Sequence, residues 1–146
     1  MAMIEVRPTK DELFLTIAAQ VATRTTCIRK GVGCVLTNSK GHIIGTGYNG
    51  VAAGLPHCNE EHPCEGCDLP PGQDKCEAIH AEVNAVLQCH NVHEIDTVYC
   101  TLAPCVRCAK MLLNTSAKRI VFSEHHANYD GLTLWNKAGR TWIRDA

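Results

Sequence analysis

Two short motifs, each standing where a helix is predicted to begin, constrain this chain more than any other feature. The first is His80-x-Glu82, and the second is Cys105-x-x-Cys108, which a proline precedes. A run of β-branched and aromatic residues between them predicts a strand. The order helix, strand, helix therefore has to bring two helix starts, each carrying metal-ligating side chains, to one place.

The ligand types and their spacing predict a catalytic zinc site. Cys105 and Cys108 are three residues apart, so both sulfurs can approach one ion at ~2.3 Å while His80 supplies a nitrogen at ~2.0 Å. Three ligands leave the fourth tetrahedral position open to water, whose pKa falls toward ~7 on zinc. The positive ends of both helices favour thiolate and hydroxide.

Glu82 is predicted to carry the proton. It lies two residues from His80, about 200° round a helix, so it should reach the bound water rather than the ion. Pro104 suits the first turn of the second helix because it has no N–H to leave unpaired. Either motif alone could be half of a structural zinc site or chance, and their combination at two helix starts favours catalysis.

The remaining pattern predicts an α/β fold: a three-layer α/β/α domain with one mixed central sheet of about five strands. A length of 146 residues suits a single domain over 1–146. The residues from 51 to 77 form a cysteine-rich loop without a sustained period. The predicted elements are a helix over 10–25, a hairpin of strands over 32–37 and 42–48, a helix over 78–89, a strand over 97–102, a helix over 104–115, a strand over 119–123, a helix over 131–138 that Gly139 ends, and a strand over 141–144.

Charge and cysteine content narrow the class of partner. The formal net charge is −1, which argues against a protein that grips a nucleic acid backbone and favours a small ligand. No apolar run approaches the ~18 residues that a membrane span needs, and the start lacks the order of a secretory signal. Without an export signal, the ten cysteines are expected to be thiols or metal ligands of a cytoplasmic protein.

The two motifs together resemble the cytidine deaminase-like superfamily, whose pattern is His-x-Glu followed by Pro-Cys-x-x-Cys. Within it the chain is similar to the deoxycytidylate (dCMP) deaminases, through Arg24-Thr25-Thr26-Cys27, Val32-Gly33-Cys34-Val35, Gly47-Tyr48-Asn49-Gly50, Pro56-His57-Cys58 and His80-Ala81-Glu82-Val83-Asn84-Ala85. The resemblance implies hydrolytic deamination of dCMP to dUMP and ammonia, which would supply the thymidylate pathway. Activated water would add to C4 while Glu82 carries the proton to N3 and then to the leaving ammonia.

The resemblance also implies substrate contacts. Asn49 would contact the sugar, and Asn84 lies one turn beyond the zinc ligand. Arg24, Thr26 and Lys30 stand together before the first strand and are candidates for the phosphate, although a solvated basic turn would explain them equally.

The resemblance implies an effector site at Gly47, Tyr48, Asn49 and Gly50. Its ligands would be dCTP with Mg²⁺ as activator and dTTP as inhibitor. The resemblance also implies a homo-oligomer, a hexamer. A backbone bend with positive φ at the two glycines, and a core aromatic at Tyr48, would explain the same residues without a ligand.

A second, structural zinc would order the cysteine-rich loop. The resemblance places Cys27 and Cys58 in such a site, and Cys64 and Cys76 are predicted to complete it. Alternatives for the last two ligands are Cys67, His57 and His62. The other three cysteines, Cys34, Cys89 and Cys100, are expected to be inert thiols among apolar neighbours.

Two rival functions share parts of this pattern. A deaminase of nucleosides, of tRNA adenosine or of cytosine in single strands would use the same His80, Glu82, Cys105 and Cys108. The low net charge argues against a nucleic acid substrate. So does the small number of aromatic residues available for stacking bases, which are two Phe, two Trp and three Tyr. A non-enzymatic zinc-binding interaction module would have closed four-ligand sites and no use for Glu82.

Overall fold

The computed structural model describes residues 6–27, 30–58 and 77–145. The elements are α1 (Lys10–Ala22), β1 (Gly33–Thr37), β2 (Ile43–Tyr48), β3 (Gly50–Val51), β4 (Ala78–Ile79), α2 (Ala81–Gln88), a 3₁₀ turn (Val92–Glu94), β5 (Thr97–Leu102), α3 (Val106–Leu113), β6 (Arg119–Glu124), α4 (Asp130–Lys137) and β7 (Thr141–Arg144). Within these ranges, five strands form a mixed sheet in the order β2-β1-β5-β6-β7, and β3 pairs with β4 in a separate two-stranded sheet. Strand β1 is antiparallel to β2 and β5, whereas β5, β6 and β7 run parallel. The predicted mixed sheet of about five strands is confirmed.

Helices cover both faces of the five-stranded sheet, as the prediction of three layers requires. Successive side chains of a strand point to opposite faces, so each strand contributes to two apolar cores. One core lies under α1 and contains Phe14, Leu15, Ala18, Val35, Tyr99 and Val121. The other lies under α2, α3 and α4 and includes Cys34, Leu36, Ala85, Val98, Cys100, Leu112, Ile120, Phe122 and Trp135.

A polar network fastens α1 to the sheet. Asp11 accepts hydrogen bonds from the Tyr99 hydroxyl at 2.7 Å and from the Arg119 guanidinium at 2.8 Å. Burial alone would raise the pKa of Asp11, but the bonds from Arg119 and Tyr99 outweigh it and the pKa is lowered. Burial and the neighbouring Asp11 raise the pKa of Tyr99 to about 12. The network therefore holds a charged carboxylate against a neutral phenol at neutral pH.

The hairpin of β1 and β2 is confirmed, and its turn shows why these residues form it. The side chain of Asn38 accepts hydrogen bonds from the backbone N–H groups of Lys40 and His42, at 3.0 and 2.9 Å. Gly41 has a φ of +76°, a conformation that glycine adopts without strain.

All four helices differ by one to three residues from their predicted bounds, and three of these differences have a visible cause. Helix α1 ends at Ala22, and the N–H groups of the next three residues bond three positions back, which tightens the chain out of the α-helix. Helices α2 and α3 begin later than predicted, because His80 and Cys105 have extended backbone, with ψ of 150° and 171°, and are N-cap residues. Pro104 therefore precedes the N-cap, and the prediction that it lies in the first turn of α3 is wrong.

Among residues 6–27, 30–58 and 77–145, no helix combines the length and the apolar character that crossing a bilayer requires.

Candidate active site

Three metal-ligating side chains converge where α2 and α3 begin. The Nδ1 atom of His80 lies 3.3 Å from the Sγ of Cys108 and 3.5 Å from the Sγ of Cys105. All three ligand atoms lie within 4.8 Å of one another. Tetrahedral zinc at its usual bond lengths would separate a sulfur from a nitrogen ligand by about 3.5 Å. The predicted ligand set therefore has the spacing that zinc needs.

The N-cap positions explain why these side chains are available. Helices usually carry Ser, Thr, Asp or Asn at the N-cap, where the side chain bonds the first turn. Here His80 and Cys105 are the N-caps of α2 and α3, and neither side chain makes a capping bond. Cys108, the third residue of α3, faces the same point. Two helix N-termini direct their positive ends at the cluster and favour anionic sulfur there.

Hydrogen bonds within the cluster favour a negative charge on one of its two sulfurs. Hydrogen bonding to Cys108 and to His80 lowers the pKa of Cys105 to about 3, although burial opposes the shift. Hydrogen bonding to Cys105 raises the pKa of His80 and that of Cys108. Cys108 is buried, Cys105 is half-buried and the His80 residue is exposed. A thiolate and an imidazole thus meet at the edge of the protein, where an ion can reach them.

Glu82, the second residue of α2, is 4% exposed. Burial raises its pKa above the ordinary value, and the nearby His80 opposes this shift to a smaller extent. A carboxyl group whose pKa is raised by burial is suited both to accept and to return a proton. Its place on the same first turn as the ligand cluster fits the predicted proton carrier.

Helix α2 lies directly against the backbone of β2. A Cβ atom at Gly47 would lie 2.3 Å from the carbonyl oxygen of Ala81 and 2.4 Å from the backbone nitrogen of Ala85. Asn84 adds a hydrogen bond from its side-chain Nδ2 to the Tyr48 carbonyl, at 2.9 Å. These contacts hold in place the helix that presents His80 and Glu82.

The bend with positive φ that the sequence allowed at Gly47 and Gly50 is wrong, because positive φ among the described glycines occurs at Gly41, Gly54 and Gly139. Close approach explains both residues instead. At Gly47 the neighbour is α2, and at Gly50 a Cβ atom would lie 2.6 Å from the Thr26 hydroxyl oxygen.

Asn49 is buried at the end of β2 and fastens the segment before β1. Its Oδ1 accepts hydrogen bonds from the Val32 N–H at 2.7 Å and from the Thr25 hydroxyl at 2.8 Å. Its Nδ2 donates to the Lys30 carbonyl at 2.6 Å. The side chain of Asn49 therefore joins the end of β2 to the segment that precedes β1.

The three candidate phosphate residues have different surroundings. The Thr26 hydroxyl accepts a hydrogen bond from the Val51 N–H at 3.0 Å and so positions β3. Arg24 is exposed just beyond the end of α1. Lys30 is exposed, and its Nζ contacts the carboxylate of Glu124.

Of the residues predicted for the second zinc, Cys58 is buried and Cys27 is half-buried. His57 is exposed. Cys64 and Cys76, and the alternatives Cys67 and His62, lie outside the described residues.

Sequence reasoning missed Glu124 at this end of the sheet. It is the last residue of β6, which runs parallel to β5. Ligands of α/β sheets bind beyond the carboxyl ends of the strands, so a charged residue closing a buried strand was the signal that could have found it.

Residues 8–124 match the family described as the cytidine and deoxycytidylate deaminase zinc-binding region, and the chain belongs to this family. The predicted resemblance is confirmed by deoxycytidylate deaminases of known name. That of Mycobacterium phage D29 is 37% identical over 123 residues, which are 80% of this chain and 95% of the relative. That of Schizosaccharomyces pombe is 33% identical over 130 residues, 85% of this chain, but the match spans only 39% of the relative.

The fold is shared with the dCMP deaminase of cyanophage S-TIM5, solved in complex with dCMP and dUMP. The TM-score is 0.78 at 24% sequence identity, over 97% of this chain and 100% of the phage protein.

Proposed function

We propose that the protein is a zinc-dependent hydrolytic deaminase that converts dCMP to dUMP and ammonia. The observation that carries this proposal is the His80, Cys105 and Cys108 cluster, within 4.8 Å, on the first turns that also carry the buried Glu82. A closed structural zinc site would need a fourth protein ligand, and it would leave a buried carboxyl group without a purpose. Relatives that are named deoxycytidylate deaminases support dCMP as the substrate.

The residues of the site divide the work between them. His80, Cys105 and Cys108 hold the zinc, which when bound polarises a water molecule and lowers its pKa. Glu82 accepts a proton of the attacking water and delivers it to N3 of the pyrimidine as the oxygen bonds to C4. It then passes the remaining proton of that oxygen to the C4 amino group, which leaves as ammonia when the C4–N bond breaks. Asn84 keeps the first turn of α2 against β2, so that Glu82 and His80 stay in register with the bound base.

The nucleotide's sugar and phosphate are bound by residues that follow β2 and by residues between α1 and β1. Asn49, which directly follows β2, contacts the sugar of the nucleotide. Lys30 receives the 5′-phosphate, because its carbonyl is fastened by Asn49 while its side chain stays accessible. Arg24 and Thr26 remain candidates for the same phosphate, although the Thr26 hydroxyl already bonds Val51.

Further parts of the function stay predictions. They are a second zinc on Cys27, Cys58, Cys64 and Cys76, control by dCTP with Mg²⁺ and by dTTP near Tyr48, assembly into a hexamer, and a cytoplasmic location.

Substrate choice is tested by ammonia release from the zinc-loaded protein with dCMP, deoxycytidine, dCTP or a cytosine-containing single strand. We expect dCMP to be consumed far faster than the others. If deoxycytidine or the strand is consumed and dCMP is left intact, the substrate assignment is wrong.

The role of Glu82 is tested by Glu82→Gln, with Glu94→Gln as the matched control. Glu94 is exposed in the 3₁₀ turn before β5. The first variant should keep its zinc, measured by elemental analysis, and lose about 10²–10⁴ in kcat on dCMP, because only the proton carrier is removed. Near-normal turnover in Glu82→Gln would remove Glu82 from the mechanism.

A further inference from the structure

An ion pair crosses the end of the sheet at which the site lies. The Lys30 side chain comes just before β1, and Glu124 ends β6. Strand β5 lies between these two strands in the sheet, so the contact between the Lys30 Nζ and the Glu124 carboxylate spans the carboxyl end of β5. From that end the chain continues through Ala103 and Pro104 to the zinc ligand Cys105.

Both partners are anchored through their backbones and exposed at their charged ends. The Lys30 carbonyl accepts the Asn49 side chain at 2.6 Å, and the Glu124 carbonyl accepts the Ala103 N–H at 2.8 Å. The side chains are 51% and 59% exposed. Since exposed ion pairs are weak, an incoming anion can take the lysine from the carboxylate at little cost. The carboxylate then stays nearby, because its backbone is held independently of Lys30.

We propose that Glu124 is a specificity-determining residue that limits how much phosphate charge the site accepts. This inference rests on the proposed function, in which Lys30 receives the 5′-phosphate. A neutral nucleoside leaves the ion pair intact and is unaffected by Glu124. A nucleoside monophosphate displaces the carboxylate and is repelled by it in proportion to its two negative charges. A triphosphate carries about twice that charge near the same carboxylate and is repelled more.

The consequence is a site tuned to a single phosphate group. Lys30 supplies attraction to an anion, and Glu124 opposes each additional negative charge, which is the repulsive element that specificity often needs. The same opposition acts on a nucleic acid, whose backbone brings several phosphates close together. The ion pair thus gives a physical reason for a nucleotide, rather than a polymer, as substrate.

The decisive variant is Glu124→Gln, which keeps the shape and removes the charge. We expect the KM for dCMP to fall about 3- to 10-fold, the kcat/KM for deoxycytidine to stay within about twofold, and deamination of dCTP to rise by a larger factor than that of dCMP. Inorganic phosphate and tripolyphosphate, used as competitive inhibitors, should both bind more tightly, and tripolyphosphate should gain more. These differences should shrink as NaCl is raised from about 0.05 to 0.5 M, because the effect is electrostatic.

Two further variants keep the result interpretable. Glu94→Gln makes the same change of charge at the opposite end of β5 and should leave every ratio unchanged. Lys30→Met should raise the KM for dCMP and leave deoxycytidine unaffected. Zinc content and melting temperature, measured for each variant, show that the folded site is retained.

The outcomes separate the two proposals. If the wild-type protein does not deaminate dCMP, the proposed function fails and this inference fails with it. If the wild type is active but the KM for dCMP rises in Glu124→Gln, the carboxylate positions Lys30 instead of competing for it, and the inference is overturned. A ratio of dCMP to dCTP turnover that Glu124→Gln leaves unchanged overturns it equally.

Discussion

The contact between β2 and α2 predicts that one methyl group at Gly47 should damage both stability and catalysis. In Gly47→Ala the new Cβ atom would lie 2.3 Å from the Ala81 carbonyl oxygen and 2.4 Å from the Ala85 nitrogen. Cβ atoms essentially never approach other atoms closer than 3.0 Å, and both neighbours are backbone atoms that cannot rotate away. The whole first half of α2 must therefore retreat from the sheet.

The magnitude follows from what α2 carries. Overpacking of a well-packed core costs about 1–3 kcal/mol, which urea denaturation would show as a lowered free energy of unfolding. Because His80 and Glu82 move with the helix start, a displacement approaching 1 Å should also lower kcat on dCMP by about 10²-fold. Zinc affinity, measured by competition with a chromogenic chelator, should weaken in the same variant.

Two other glycines calibrate the result. Gly45→Ala meets Ala85 at 2.7 Å and a flexible Leu36 methyl at 3.2 Å, so its losses should be smaller than those of Gly47→Ala. Gly139 has a φ of +76°, and the Cβ atom of Gly139→Ala would have nothing within 4 Å. It should cost about 1 kcal/mol and leave turnover unchanged. Full zinc affinity and full turnover in Gly47→Ala would refute the idea that backbone contact with β2 sets the position of the site.

Three further predictions concern the metal and the stability of the fold. Prolonged chelation should lower the melting temperature and abolish turnover, and added Zn²⁺, but not Mg²⁺, should restore both. Asp11→Asn should lower the free energy of unfolding by about 1–2 kcal/mol at pH 7. Because the folded-state pKa of Asp11 is lowered, the stabilisation by its carboxylate is present above the ordinary pKa of an aspartate and is lost as the pH falls through the folded-state pKa. Urea denaturation at pH 7 and pH 3 should therefore show a smaller difference between variant and wild type at the lower pH. Arg140 donates to the carbonyls of Leu112, Leu113, Thr115 and Ala117 at the end of α3, so Arg140→Met should cost about 2–3 kcal/mol, with the exposed Lys137→Met as the control.

Local sequence was enough to predict most elements and the metal ligands. The spacing of Cys105 and Cys108 and the order of the two motifs are properties of neighbouring residues. The same holds for the β-branched and aromatic composition that predicted β5 at its observed bounds. The asparagine and glycine of the hairpin turn act through bonds within five residues. Such features need no knowledge of which segments meet.

The residue at which α2 begins could not be predicted from periodicity alone. The apolar pattern extends back to Ala78, yet the chain there is extended because Ala78–Ile79 pairs with Gly50–Val51. A pairing partner more than twenty residues away overrode the local preference. That pairing leaves His80 as an N-cap residue whose ring makes no capping bond and faces the two cysteine sulfurs.

Other properties of the site came only from the tertiary structure. The sequence marked Gly47 and Asn49 for ligands, whereas their contacts with α2 and with the segment before β1 show that they also build the frame of the site. Glu124 carried only the weak signal of a charged residue at the end of a buried strand. It meets Lys30 because a single strand, β5, lies between β1 and β6 in the five-stranded sheet. The sequence by itself determined the chemistry that the chain can perform, since ligand types and spacings are local. The order of strands in the sheet decided which charged side chains and backbone segments surround the site, because those contacts join residues far apart in the chain.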